Sequence, residues 1–418
     1  MKAIIVGGGI GGLTTALMLH ARGIDCEVYE QADVIRELGV GINTLPHAIK
    51  ELAGLGLLEA LDAVGIRTFE LFYTNRFGQE IWRELRGIDA GFEVPQFSIH
   101  RGRLQGVIHQ AAQERLGGSK IFTGYRLGGF SQDEAGISAQ FFDRDGSHRH
   151  TARGDILIGA DGIHSTVRQT LFPQEGPARW SGIIMWRGAA DWPAFLTGRS
   201  MVIAGGMSEK LVLYPIAAGS TPDRRLTNWV VCAKIGEGPT APPRREDWSR
   251  PGRLEEMLPF AERFKIPYVD VPGLIKATGE FWEYPMCDRD PLPRWSHGRV
   301  TLLGDAAHPM YPVGSNGASQ AILDARHLAD CLANADHPMQ ALWDYEQKRL
   351  PMTAEIVRLN RRGGPEGVID AVEALAPNGF TAIDDVLSFE QRKAIVQGYA
   401  STAGFAREQA AATGTARH

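Results

Sequence analysis

Gly7, Gly9 and Gly12 stand in the spacing GxGxxG, and they contribute by lacking side chains. In this pattern the first glycine permits a tight turn, the second lets a pyrophosphate approach the backbone, and the third lets the next helix pack closely. Ile10 opens that helix, whose N-terminus attracts an anion. Glu30 follows Gly12 by 18 positions, where a carboxylate accepts hydrogen bonds from the hydroxyls of an adenosine ribose. Asp161 and Asp305 follow two later apolar runs, in Gly159-Ala160-Asp161-Gly162 and Gly304-Asp305-Ala306-Ala307-His308. The carboxyl ends of strands are where open α/β sheets bind their ligands. The chemistry these residues suit is dinucleotide binding. No Ser-His-Asp or metal-ligand constellation accompanies them, so no metal is expected.

The elements that must position these residues follow from hydrophobic pattern. Residues 2–6 read as a strand, 13–19 as a buried helix and 26–30 as a second strand after the break at Arg22-Gly23, which makes one βαβ unit. Residues 154–159 and 299–303 read as buried strands. If the first unit, Asp161 and Asp305 serve one cofactor, their domain is discontinuous, built from 1–72, 96–178 and 284–350. Residues 73–95 and 179–283 then form a second domain, with β-rich runs at 182–187, 201–204, 211–214 and 228–232 that predict an antiparallel sheet. Pro242-Pro243 to Pro259 reads as a loop plus one helix over 253–258, and residues 351–418 as a helical appendage with a disordered tail from about Ala406.

Composition narrows the class. With 418 residues, 44% apolar and 22% charged, the chain is globular, with room for two or three domains at about 150 residues each. Its 49 glycines are about 12% of the chain, against roughly 7% on average. Lys plus Arg total 44 against 49 for Asp plus Glu, so no basic surface for nucleic acid is expected. No run reaches the roughly 18 apolar residues of a membrane helix, and the opening turns glycine-rich too early for a signal peptide. Cys26, Cys232, Cys287 and Cys331 are scattered, which fits a reducing compartment. The expectation is a soluble cytoplasmic enzyme, monomer or homodimer, without membrane or nucleic-acid partners.

The motifs at 7–12, 159–162 and 304–308 together resemble the single-component FAD-dependent aromatic hydroxylases, the group of the p-hydroxybenzoate and salicylate hydroxylases, over about residues 1–350. Within it, the runs 39–43, 98–102, 185–188 and 288–293 are similar to the phenazine hydroxylase branch that acts on 5-methylphenazine-1-carboxylate. The resemblance implies an α/β (α+β) fold: a Rossmann-like FAD-binding domain, an inserted, mostly antiparallel β-sheet substrate domain and a C-terminal helical region. It implies non-covalent FAD, with Asp305 on the ribityl chain, Arg101 near the ribityl and pyrophosphate groups, and Asp161 supporting the FAD and pyridine-nucleotide side. Arg36, Val40 and Gly41 join that cofactor set. The loop through Pro312, Gly314, Asn316 and Gly317 would bring helix-entry amides to the flavin ring. There the chain departs from the commoner Gly-Gln-Gly-x-Asn pattern, with Asn316 for the Gln and Ser319 for the Asn. No second GxGxxG exists, so NADH or NADPH is a transient donor. O2 would then add at the flavin C4a, and the resulting hydroperoxide would hydroxylate an aromatic or N-heteroaromatic carboxylate, with or without decarboxylation.

Candidates at the reacting centre are fewer. Alternation puts Met185 and Arg187 on one face of a strand and Ile184 and Trp186 on the other. Arg187 reads as a substrate-carboxylate anchor or as a salt bridge inside the sheet. Tyr214 and Tyr311 read as stacking or hydrogen-bonding groups, or as core. His308 reads as a base or as part of the Asp305 turn, and His47 as the start of a helix near the flavin. Trp282, Tyr284 and Met286 read as packing. Two rival functions remain: a flavin-dependent NAD(P)H oxidase or quinone reductase, and a non-catalytic flavin-binding ligand sensor, which the altered loop permits. No WxWxIP run supports a halogenase.

Overall fold

Short runs of apolar, mostly β-branched residues become strands covered on both faces, and three of them form the centre of the first domain. The computed structural model describes residues 1–35, 39–243, 250–404 and 406. In it Lys2–Val6, Ile156–Gly159 and Val300–Leu302 lie side by side in a parallel sheet of order Val300–Leu302, Ile156–Gly159, Lys2–Val6, Asp25–Glu30, Ile121–Thr123. Val6 pairs with Gly159, and Gly159 with Leu302, so the three carboxyl ends are level. The helix Ile10–His20 is buried along nearly its whole length and packs against the helices Arg101–Leu116 and Gly317–Asn334. A three-stranded antiparallel sheet, Arg126–Gln132, Ile137–Phe142 and His148–Gly154, joins the same core. There Phe141 stacks on Tyr29 with ring centroids 4.1 Å apart.

The second sheet has seven strands in the order Phe281–Asp288, Arg179–Pro193, Arg224–Lys234, Glu209–Ala218, Ser200–Ala204, Glu70–Thr74, Glu80–Leu85. Its pairings are antiparallel except that Ser200–Ala204 runs parallel to Glu70–Thr74. The four β-rich runs read from the sequence all lie in it. Strand alternation gives it two apolar faces. Ile184, Trp186, Leu211 and Trp229 pack beneath Met257, Leu274 and Ile275 of the helices Leu254–Ala261 and Val271–Lys276. Met185, Val230, Cys232 and Tyr284 instead meet Tyr311 and Val313 of the first domain.

Three boundaries differ from the expected ones. Divisions at 72/73 and 283/284 fall inside Glu70–Thr74 and Phe281–Asp288, two strands of the large sheet. A strand's membership is set by its partner, here Leu71 opposite Met201, which local pattern does not reveal. The helix Pro338–Arg361 runs unbroken past residue 350 despite Pro351. The tail beyond Ala406 lies outside the described residues.

The loop leading to Val300–Leu302 is held by a buried carboxylate. Glu346 Oε2 accepts hydrogen bonds from the amides of Trp295, at 2.7 Å, and Ser296, at 2.6 Å. Glu346→Ala orphans both donors and should cost about 2–4 kcal/mol. Urea unfolding of the two proteins at neutral pH measures it, and an unchanged midpoint would contradict the assignment.

Candidate active site

The glycine turn is built by contact. Gly7 has φ 110°, and a Cβ there would lie 2.3 Å from the Ala160 carbonyl oxygen; one at Gly12 would lie 2.0 Å from the Gly7 oxygen. A Cβ at Gly9 would meet nothing within 4 Å, so this backbone faces open space. The helix beginning at Ile10 has no side-chain cap and no acid in its first turn, which leaves its first amides for an anion. Glu30 ends its strand beside this turn, accepting from the amides of Gly8 at 2.7 Å and Ala32 at 2.8 Å.

Asp161 and Asp305 occupy neighbouring strand ends but differ in what they do. The Asp161 carboxylate is spent on its own turn: it accepts from Ser165 Oγ at 2.6 Å and from the amides of Thr166 and Val167 at 2.7 and 3.2 Å. Burial raises its pKa and these bonds oppose the rise. Asp305 is exposed. Surrounding protein raises its pKa, while His308 and Arg101 pull it back. Burial lowers the pKa of Arg101, and Asp305 counters that too. Arg101 starts its helix with its amide donating to the Val40 carbonyl at 2.8 Å. An open backbone at Gly9, an uncapped helix start and an accessible carboxylate facing a cation suit the pyrophosphate and polyol of FAD. Arg36 lies outside the described residues.

Two buried groups that sequence reasoning missed hold these turns in place. Arg168 donates Nη1 to the carbonyls of Ala306 and Ala307 at 3.0 and 2.9 Å, and Nε to Glu175 at 2.8 Å. It thus ties the Asp161 turn to the Asp305 turn. Asp324 joins His308 Nε2 at 2.6 Å to Arg349 Nε at 2.7 Å and accepts the Gly304 amide at 3.1 Å. Burial would raise the pKa of Asp324, but His308 and Arg349 more than reverse this and hold it well below the usual carboxylate range. His308 is therefore enclosed within the turn. Asp324 follows Asp305 by 19 residues with no recognisable motif spacing, and the carbonyls that Arg168 binds at Ala306 and Ala307 are over a hundred residues away, although Glu175 is only seven residues on.

Arg187 and Tyr214 share the sheet face toward the first domain. Arg187 Nη1 donates to the Tyr284 hydroxyl at 2.8 Å and Nη2 to the Gly41 carbonyl, while the Gly41 amide donates to Asn228 Oδ1 at 2.7 Å. These partners of Arg187 are neutral, so it pins the sheet to the strand Gly41–Thr44 and, among the described residues, forms no salt bridge inside the sheet. Burial pushes the Tyr214 hydroxyl up to about 12, with neighbouring Arg187 working against the rise. Tyr311 packs with Tyr284 and Met286. After the exposed Pro312, the loop takes two left-handed residues in succession, Gly314 at φ 66° and Ser315 at φ 53°. A non-glycine residue held there is strained, which is commonest where function needs it. Asn316 is buried, and Gly317 opens a helix without a side-chain cap.

Beside this loop lies a cavity of about 380 Å³. Leu71, Tyr73, Met201 and Ile203 of the large sheet form one side, Leu45, Pro46, Gly314 and Ser315 another, and Val396, Gln397, Ala400 and Ser401 of the helix Phe389–Thr402 a third. The C-terminal helices, without a purpose in the sequence, wall this cavity.

A model of the FAD binding domain matches residues 1–360. The chain belongs to the FAD binding domain family. Its relatives include the phenazine 1,6-dicarboxylic acid hydroxylase PhzS of Lysobacter antibioticus, 46% identical over 86% of this chain and 88% of that one. Another is the 3-hydroxybenzoate 6-hydroxylase 1 of Aquipseudomonas alcaligenes, 31% identical over 86% and 87%. Klebsiella pneumoniae HpxO, solved with FAD and uric acid, shares the fold at a TM-score of 0.74 and 24% identity, covering 98% of both chains. Within the family this chain is an FAD-dependent aromatic hydroxylase, and these relatives lend no support to the oxidase, quinone-reductase or sensor alternatives. Among the described residues no helix is long and apolar enough to cross a membrane, and no group of three His, Cys, Asp or Glu side chains could hold a metal ion.

A charge-assisted hydrogen bond is worth about 1.5–3 kcal/mol, so Asp305→Ala should weaken FAD binding roughly tenfold or more. Titration of the apoprotein with FAD measures it, and unaltered affinity would refute the role. His47 opens the helix Pro46–Gly54, and burial, with Arg349 adding to it, pushes its imidazole down to about 3. Because the folded pKa lies below the unfolded 6.5, the unfolded chain takes the proton first as pH falls. Stability then drops by about 1.4 kcal/mol per pH unit below that value. In His47→Leu the acid-side slope of stability against pH should be shallower by that amount in denaturant titrations from pH 7 to 4.5.

Proposed function

We propose that this hydroxylase acts on a planar N-heteroaromatic carboxylate of fused rings, held in the cavity beside Gly314 and Ser315. The cavity carries the reading: at about 380 Å³ it falls in the size range of small-molecule sites, and its sheet side offers Leu71, Tyr73, Met201 and Ile203 to flat apolar rings. Its polar end holds Arg86 Nε and Gln96 Oε1, both buried without a hydrogen-bond partner, with Glu84 paired to the same arginine. The 46% identity to a phenazine 1,6-dicarboxylic acid hydroxylase points to the same class.

FAD, when bound, supplies the redox chemistry between NADH or NADPH and O2. The chain's own residues bind, orient and exclude water. Gly7, Gly9, Ile10 and Gly12 present backbone to the pyrophosphate, Glu30 receives the ribose hydroxyls, and Asp305 with Arg101 receives the ribityl chain. Asp161, Arg168 and His308 hold the turns that carry these groups. Val40 and Gly41, together with Pro312, Gly314, Asn316 and Gly317, would hold the flavin ring. Arg187 and Tyr214 keep the sheet against it, and Tyr311 fills the space between sheet and loop. The FAD-binding domain is assembled from three separate stretches of chain, with the sheet domain inserted between them.

Purified holoenzyme given NADH, phenazine-1,6-dicarboxylic acid and ¹⁸O₂ should oxidise NADH faster than without the acid and place one labelled oxygen on the ring. NADH oxidation indifferent to this and related aromatic acids, with no label in any product, would overturn the reading.

A further inference from the structure

The C-terminal segment does more than wall the cavity. The short turn Gly364–Glu366 carries a carboxylate that is 4% exposed and bridges two parts of the candidate site. Glu366 Oε1 accepts the amide of Gly314 at 3.0 Å, and Oε2 pairs with Nζ of Lys210, which is 8% exposed on the sheet face toward the first domain. Other contacts converge on the same loop. The Tyr399 ring lies so close to Gly314 that a Cβ there would be 2.7 Å away. Asn360 Nδ2 donates to the Tyr311 carbonyl at 2.9 Å, and Gln320 Nε2 to Asn316 Oδ1 at 3.2 Å. A loop with two consecutive left-handed residues does not hold that shape unless its surroundings over-determine it. Glu366 is the one charged group among these contacts, and a buried carboxylate of this kind requires a counter-ion, which Lys210 provides.

We propose that Glu366 is a positioning residue for the flavin: by fixing the Gly314 amide it sets the loop whose following helix start, at Gly317, offers uncapped amides to the ring. This rests on the reading that the flavin ring lies against that loop. The same bridge joins sheet, loop and C-terminal segment, so Lys210 serves as counter-ion to the carboxylate that holds the loop.

Glu366→Ala alone would strand the Lys210 charge in the interior, so two double variants make the comparison. K210M/E366Q removes both charges but keeps an acceptor for Gly314. K210M/E366M removes the acceptor as well, and apolar replacement of a buried pair is often neutral or stabilising. Amide exchange of a peptide covering 310–317 in the apoprotein, and the reduction potential of bound FAD in the holoprotein, are read for both variants and the parent. K210M/E366M should exchange faster in this peptide. It should also show a potential shift matching roughly a tenfold change in preference between reduced and oxidised FAD, about 30 mV for a two-electron couple. K210M/E366Q should match the parent in both. Two variants that behave alike would overturn the proposal, and so would faster exchange with an unmoved potential, which would leave Glu366 a structural contact only. A parent that binds no FAD would instead sink the functional reading, while the exchange comparison would still judge the Gly314 contact.

Discussion

The register of three parallel strands is the constraint on which the rest depends. Val6, Gly159 and Leu302 pair across the sheet, so turns separated by some 150 residues of chain leave the sheet at the same level. Gly7 then touches Ala160, Arg168 reaches the carbonyls of Ala306 and Ala307, and Asp305 is left exposed at its strand end while the backbone at Gly9 faces open space at its own. A shift of one residue in either pairing would turn every side chain of a strand to its opposite face. Each run is buried on both faces, so a slip would disturb close packing on both sides of the sheet at once.

The large sheet is constrained in a different way. It presents apolar side chains on both faces, one to its own helices and one to the first domain. The junction with the strand Gly41–Thr44 sets a cation among neutral acceptors: the Arg187 guanidinium bonds a hydroxyl and a carbonyl, and Asn228 takes the Gly41 amide. Such contacts fix orientation, and the neutral acceptors offset part of the cost of burying the guanidinium. Where the sheet extends past that junction it leaves a cavity, closed by a helix from the far end of the chain.

What could be read from the residues was local. The first βαβ unit, with Glu30 at its end, follows from a strand pattern, a glycine spacing and a helix pattern that agree with one another within thirty residues. The alternation of Met185 and Arg187 against Ile184 and Trp186 likewise follows from strand period alone, and both faces exist in the fold. Asp161 and Asp305 look alike as carboxylates after apolar runs. Only the helix start after Asp161 determines that its carboxylate turns inward to cap Ser165, Thr166 and Val167. His308 looked able to act as a base until Asp324 and Arg349, from two later helices, enclosed it.

The sequence by itself determined the glycine turn and the two-faced sheet, because each depends on residues near one another in the chain and on backbone periodicity, while the flavin family followed from a resemblance carried jointly by the motifs at 7–12, 159–162 and 304–308. Tertiary structure alone decided the roles of Arg168, Glu346 and Glu366, the neutral hydrogen-bond partners of Arg187 and the helix that completes the cavity. The reason is physical. A buried polar group is defined by the partners that satisfy it, and here Ala306 and Ala307 for Arg168, Trp295 and Ser296 for Glu346, and Lys210 for Glu366 come from segments tens to hundreds of residues away, brought within hydrogen-bonding distance only when the sheets stack.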